Sequence, residues 1–141
     1  MGIVLDSSIL IAAEKQRFEI TDFFSAHAGE KFYLAAISAA ELLHGVERAL
    51  SASRKAARAA IVEHFLEAFE LIDYDLTVAR THATLWAALA KGGAMIGPYD
   101  MLIAASALTH GHKLATLNES EFRQVAKLRL VDVRDFVKAS G

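Results

Sequence analysis

The stretch Gly2-Ile3-Val4-Leu5-Asp6-Ser7-Ser8 sets the reading of the whole chain. Three bulky apolar residues in a row are strand-sized and leave no polar face, so a strand here is buried on both sides. An acid and two hydroxyls follow at once, ahead of a helical run, which places Asp6 at a strand-to-helix turn. Further strand-sized runs occur at Phe32-Tyr33-Leu34, Leu71-Ile72, Lys113-Leu114-Ala115-Thr116 and Leu130-Val131-Asp132-Val133. Helical spacing fills the intervals, over Ala39 to Leu50, Arg54 to Phe69, Leu76 to Lys91 and Asp100 to Thr109. This alternation predicts a three-layer α/β/α sandwich around a mainly parallel sheet. In such open sheets functional groups gather beyond the carboxyl ends of the strands, where the strand order reverses.

The 141 residues, 54% hydrophobic and 23% charged, suit one domain over 1–141. One proline and eight scattered glycines leave no linker and no repeat. The absence of cysteine excludes a disulfide framework, a zinc ribbon and a thiol nucleophile, and fits a reducing cytoplasm. Fifteen bases against seventeen acids argue against a strongly basic nucleic-acid coat protein. The longest apolar runs, Ser7 to Ala13 and Met101 to Leu108, fall short of the ~20 residues that span a bilayer. A soluble, cytoplasmic protein with no membrane partner is expected. A mean hydropathy of +0.30 in so short a chain points to exposed apolar surface and hence to an interface.

Four residues stand at matching addresses. Asp6 follows the first strand, Glu41 the second, Asp100 opens the helix after Ile96-Gly97-Pro98-Tyr99, and Asn118 follows Leu114-Ala115-Thr116-Leu117. Each has an ordinary structural explanation. Asp6 suits a helix cap, Ser38-Ala-Ala-Glu41 and Asn118-Glu119-Ser120-Glu121 read as capping boxes, and Asp100 complements a helix dipole behind Pro98. A parallel sheet, however, carries all four to one rim. Crowded carboxylates stay ionised only around a hard cation, and oxygen donors without sulfur favour Mg²⁺ or Mn²⁺ over Zn²⁺.

With these residues in this order, the chain resembles the PIN-domain nucleases, and within them the VapC-type toxins of bacterial toxin–antitoxin pairs. The resemblance rests on Ile3-Val4-Leu5-Asp6-Ser7-Ser8, Ser38-Ala-Ala-Glu41-Leu42-Leu43-His44-Gly45, Ile96-Gly97-Pro98-Tyr99-Asp100-Met101-Leu102-Ile103-Ala104-Ala105 and Leu114-Ala115-Thr116-Leu117-Asn118 with Phe122. It implies a catalytic set of Asp6, Glu41, Asp100 and Asn118, with Asp6 and Asp100 holding Mg²⁺ and Glu41 and Asn118 as further candidate ligands. Ser8 supplies the hydroxyl that the family often places two residues after the first Asp. Many relatives carry Asp where this chain has Asn118, a weaker donor, and Glu119 or Glu121 are candidates for the missing charge. The implied reaction is hydrolysis of an RNA phosphodiester by metal-activated water, Glu41 being either ligand or general base. The implied partners are a second copy of the chain, a cognate VapB-type antitoxin, and operator DNA reached only through the antitoxin complex.

Arg48, Arg54, Lys55 and Arg58 occur without an acid between Arg48 and Val62, so Arg48, Arg54 and Arg58 are candidate phosphate contacts beside the alternative of a solvated face. His44, one turn from Glu41, reads as a surface or packing histidine. His110-Gly111-His112 reads as a helix end, and Trp86 as core or interface packing. Two other functions compete with the nuclease: a catalytically weak or inactive partner in an antitoxin–DNA repressor complex, kept open by Asn118, and a Mg²⁺-binding receiver-like signalling domain. The second lacks adjacent acids after the first strand and a late Lys-Pro, the only proline being Pro98.

Overall fold

A computed structural model describes residues 1–138. Residues 139–141 of the expected domain lie outside the described part. Four strands, β1 (Ile3–Leu5), β2 (Phe32–Ala35), β3 (Glu70–Ile72) and β4 (Lys113–Ala115), pair in the order β3-β2-β1-β4, all parallel. Seven α-helices accompany them among the described residues: α1 (Ser7–Glu14), α2 (Ile20–Ala26), α3 (Ala36–Glu47), α4 (Ala52–Ala68), α5 (Leu76–Lys91), α6 (Pro98–His110) and α7 (Glu119–Phe122). The expected three-layer arrangement is the one the chain adopts. Alternate residues of each strand face opposite layers. Ile3, Leu5 and Leu34 pack with α1 to α4 around Leu10, Phe23, Leu42 and Val62. Val4, Ala35 and Ile72 pack with α5 and α6 around Val78, Leu85, Met101 and Ile103.

The chain runs outward from β1 to β2 and β3, then returns to add β4 on the other side of β1. The strand order therefore reverses between β1 and β4, and the crevice beyond their carboxyl ends is the expected address for chemistry. Local signals place the helices that frame it. Ser51 caps α4 by accepting from the Arg54 amide at 3.2 Å, and Asp75 caps α5 by accepting from the Val78 amide at 3.0 Å. Pro98 occupies the first turn of α6, whose end is closed by Gly111 in the left-handed region at φ 68°, as a glycine between His110 and His112 suggests.

Three local expectations are corrected. The run Leu130-Val131-Asp132-Val133 contributes one parallel bridge, Leu114 to Leu130, and no strand. Asp132 Oδ1 accepts both the backbone amide of Arg134 at 3.1 Å and its Nε at 3.0 Å, which turns the chain into a 3-10 turn at Arg134–Phe136. Ser38 does not cap α3. The helix starts three residues earlier with Ala35 as its N-cap, so Ser38 is buried in the first turn, its hydroxyl unpartnered among the described residues. Asn118 stands at the N-cap of α7 without capping it through its side chain. Among the described residues no helix is long and apolar enough to cross a membrane.

Candidate active site

Asp6 sits at the point where β1 becomes α1, and its carboxylate is buried. It occupies the N-cap position, yet its side chain caps nothing. Asp6 Oδ2 instead accepts from Ser8 Oγ at 2.8 Å and from Thr116 Oγ1 at 2.7 Å. Ser8 Oγ accepts the Leu117 amide at 3.1 Å, and Thr116 Oγ1 accepts the Asn118 amide at 3.0 Å. Two hydroxyls thus stitch the end of β1 to the end of β4. Thr116 stands outside the residues picked from the sequence, although a hydroxyl directly after a buried strand, two residues before Asn118, is the available signal.

Glu41, freed from any capping duty, accepts from Ser7 Oγ at 3.2 Å. Burial pushes the Glu41 carboxyl above the usual range, and the negative charge of Asp6 pushes the same way, while the Ser7 hydrogen bond opposes both. Asp100, in the first turn of α6, is raised to about 7. Burial is the main cause, followed by the hydrogen bond with Glu121 and the charges of Asp6 and Glu121. Asp6 therefore lies within electrostatic reach of both other acids.

Asn118 presents its amide nitrogen to two carboxylates, donating to Asp100 Oδ2 at 3.1 Å and to Glu121 Oε2 at 2.7 Å. Glu121 Oε1 also accepts the Gly97 amide at 2.6 Å. These bonds and the one with Asp100 lower the Glu121 pKa. Of the two glutamates considered beside Asn118, Glu121 joins the cluster, whereas Glu119 pairs with Arg123 at 2.8 Å. The structure thus gathers Asp6, Ser8, Glu41, Asp100, Asn118 and Glu121 at one rim. All donors are oxygens or an amide, which suits Mg²⁺ or Mn²⁺. Among the described residues no group of three or more His, Cys, Asp or Glu side chains is placed so that it could hold a metal ion.

The basic residues separate. Arg58 Nε donates to Glu14 at 2.9 Å and its Nη1 to the Gly45 carbonyl at 3.3 Å. Arg54 is exposed on the first turn of α4, and Arg48 caps the end of α3 beside a cleft that reaches Glu41. His44 is exposed. His112 Nδ1 accepts the Gly2 amide at 3.0 Å, and its ring stacks on Tyr33 at 4.2 Å, away from the acids. Trp86 does not enter the core: it is 54% exposed and stacks on His82.

A family model for the PIN domain matches residues 3–128. Ribonuclease VapC1 of Rickettsia felis is 33% identical over 133 residues, covering 94% of this chain and 97% of that protein. The tRNA(fMet)-specific endonuclease VapC of Salmonella typhimurium is 32% identical over 133 residues, covering 94% and 98%. Among solved structures, VapBC2 of Rickettsia felis bound to a promoter DNA fragment aligns with a TM-score of 0.84 at 26% identity, covering 93% of this chain and 98% of that one. DNA-bound VapBC of Salmonella typhimurium aligns at 0.83 with 28% identity, covering 94% and 98%. Sequence match and structural likeness agree, and the chain belongs to the PIN-domain family, in the branch of the VapC ribonucleases.

Proposed function

We propose that the chain is a Mg²⁺-dependent endoribonuclease, the toxin of a toxin–antitoxin pair acting in the cytoplasm. The observation that carries this reading is the convergence of Asp6, Glu41 and Asp100 with Asn118 where β1 and β4 end. Asp6 and Asp100 would hold the cation, with Glu41 and Asn118 as further ligands and Mn²⁺ as a substitute. A bound divalent cation supplies the positive charge that keeps these carboxylates ionised, and it activates water and offsets charge developing on phosphate.

The chain's own groups do the rest. Ser8 and Thr116 fix the Asp6 carboxylate by donating two hydrogen bonds to it. Ser7 orients Glu41. Glu41, in place of ligating the cation, would take the proton from the attacking water as its oxygen joins phosphorus, and the ester P–O bond breaks with the departing ribose oxygen taking up a proton from solvent. Basic side chains of the α3–α4 region, with Arg48 and Arg54 the accessible ones, meet the RNA phosphates. The relatives' solved complexes favour a VapB-type antitoxin as partner and operator DNA reached through that complex; the exposed apolar surface favours a second copy of the chain as a further partner.

The test is cleavage of a structured RNA pool by purified protein with Mg²⁺, with Mn²⁺ and with EDTA. Discrete fragments that need the cation and vanish in Asp100→Asn are expected, and Glu41→Gln should slow cleavage by about 100- to 10,000-fold. A neutral Asn118 where a carboxylate would bind the cation more firmly favours one rival, an inactive partner. Intact RNA in every lane, with antitoxin binding retained by the folded protein, would establish that rival instead.

A further inference from the structure

The acids that define the site also repel its substrate. Asp6, Glu41, Asp100 and Glu121 lie together on a chain of net charge −2, so an RNA strand crossing them needs positive ground beside them. The geometry points to a phosphate-binding cleft on the Glu41 flank, made by Lys15 and Arg48 and floored by the Glu14–Arg58 pair, that holds the RNA backbone next to the scissile bond. This rests on the ribonuclease reading above.

The cleft, about 110 Å³, lies between α1, α3 and α4, with Ile11, Glu14, Lys15, Glu41, Arg48 and Arg58 in its walls. Helical geometry explains who faces it. Ile11 and Lys15 are four residues apart and share a face of α1. Glu41 and Arg48 are seven apart, two turns along α3, so the guanidinium lies on the same side of the helix as the carboxylate. Lys15 and Arg48 are the C-caps of their helices, which brings two chain ends and two cations to one opening.

Of the three cations in the cleft's walls, Arg58 alone is paired among the described residues. Among the described residues Lys55 pairs with Glu47 at 3.2 Å and Arg58 with Glu14 at 2.9 Å, whereas Lys15 and Arg48 form no ion pair. Arg58 also cancels the charge of Glu14, the other acid in the cleft. The cleft beside Glu41 therefore carries two positive charges that form no ion pair among the described residues, on a neutralised floor. Arg58 is a positioning residue that ties α4 to α1 and α3, and it leaves phosphate contact to its neighbours.

Two other roles compete for the cleft. Cations at helix C-termini complement the helix dipole, and a protein partner's acidic segment would find the same charges. The experiment separates them in the Asp100→Asn background. Binding of a fluorescein-labelled single-stranded RNA that the wild type cleaves is followed against NaCl. Lys15→Ala and Arg48→Ala should each reduce the slope of log affinity against log salt by about 0.7, and Arg48→Lys should retain it. With Asp100 restored, the two alanine variants should raise KM while leaving kcat near the wild-type value. A lowered Tm with slope, affinity and KM unchanged would leave only the dipole role and overturn the inference. Loss of antitoxin capture with RNA binding intact would overturn it in favour of a protein contact. Wild-type cleavage beside unaffected variants sinks this inference alone, whereas a wild type that neither binds nor cuts RNA sinks the ribonuclease reading as well.

Discussion

At the scale of single residues, Asp6 depends on a neighbour that contributes no charge. Thr116 is buried and gives its hydroxyl to Asp6 Oδ2, so Thr116→Val keeps the shape and removes a donor from a buried carboxylate. Such a deletion costs about 1–3 kcal/mol. Urea unfolding should read that loss, and cleavage should fall with it, because Asp6 loses one of the two hydroxyls that orient it. Asp100 makes a second prediction. Its pKa is about 7 in the fold against 3.8 as an ordinary aspartate, so between those values the folded state binds more protons than the unfolded state. Stability without cation therefore falls as pH rises from about 4 to about 7. In EDTA the Tm should be lower at pH 8 than at pH 5, Mg²⁺ should raise it more at pH 8, and Asp100→Asn should flatten both differences. An EDTA-treated protein equally stable at both values would contradict the crowding of acids on which the site rests.

At the scale of elements, the described helices are unequally anchored. Phe23 is the one buried residue of α2 and makes ring contacts with Phe18, Phe24, Phe32 and Phe136. Phe23→Ala should cost about 3–5 kcal/mol, enough to threaten folding, while Phe23→Leu should cost much less; chemical denaturation distinguishes them. How well the elements could be read follows the same physics. β1 and the helices α5 and α6 were legible because continuous apolar runs and helical spacing there agree with the caps that bound them. The positions of Asp6 and Asn118 were legible because strand ends in a parallel sheet converge, while Glu41 and Asp100 reach the same rim from within α3 and from the first turn of α6. The Leu130–Val133 run was misread because β propensity says nothing of whether a partner edge continues. Asp132 diverts the chain after a single bridge. Ser38 was misread as a cap because spacing alone does not reveal that α3 has already begun at Ala36. Lys15 and Thr116 were silent because each acquires its role only from a residue far away in sequence.

At the scale of the whole molecule, the described C-terminal stretch closes the structure back on its beginning. Phe136 lies 5.3 Å from Phe23, its carbonyl accepts the Glu19 amide at 2.7 Å, and Lys138 donates its amide to the Arg17 carbonyl at 2.9 Å. Removing residues 134–141 should lower the Tm and expose Phe18 and Phe23 to an apolar dye, without touching any acid of the site. The placement of β1 reaches further, into the making of the protein. β1 precedes the other three strands in the chain but lies inside the sheet, and its second neighbour, β4, is the last of the four to be made. Asp6 therefore emerges from the ribosome roughly ten seconds before Asn118, at translation rates of about 5–20 residues per second. Until then the acids have no common rim, and the nascent chain has no assembled site. The site can assemble only once β4 has emerged and paired with β1, which is also the moment at which a restraining partner must be at hand.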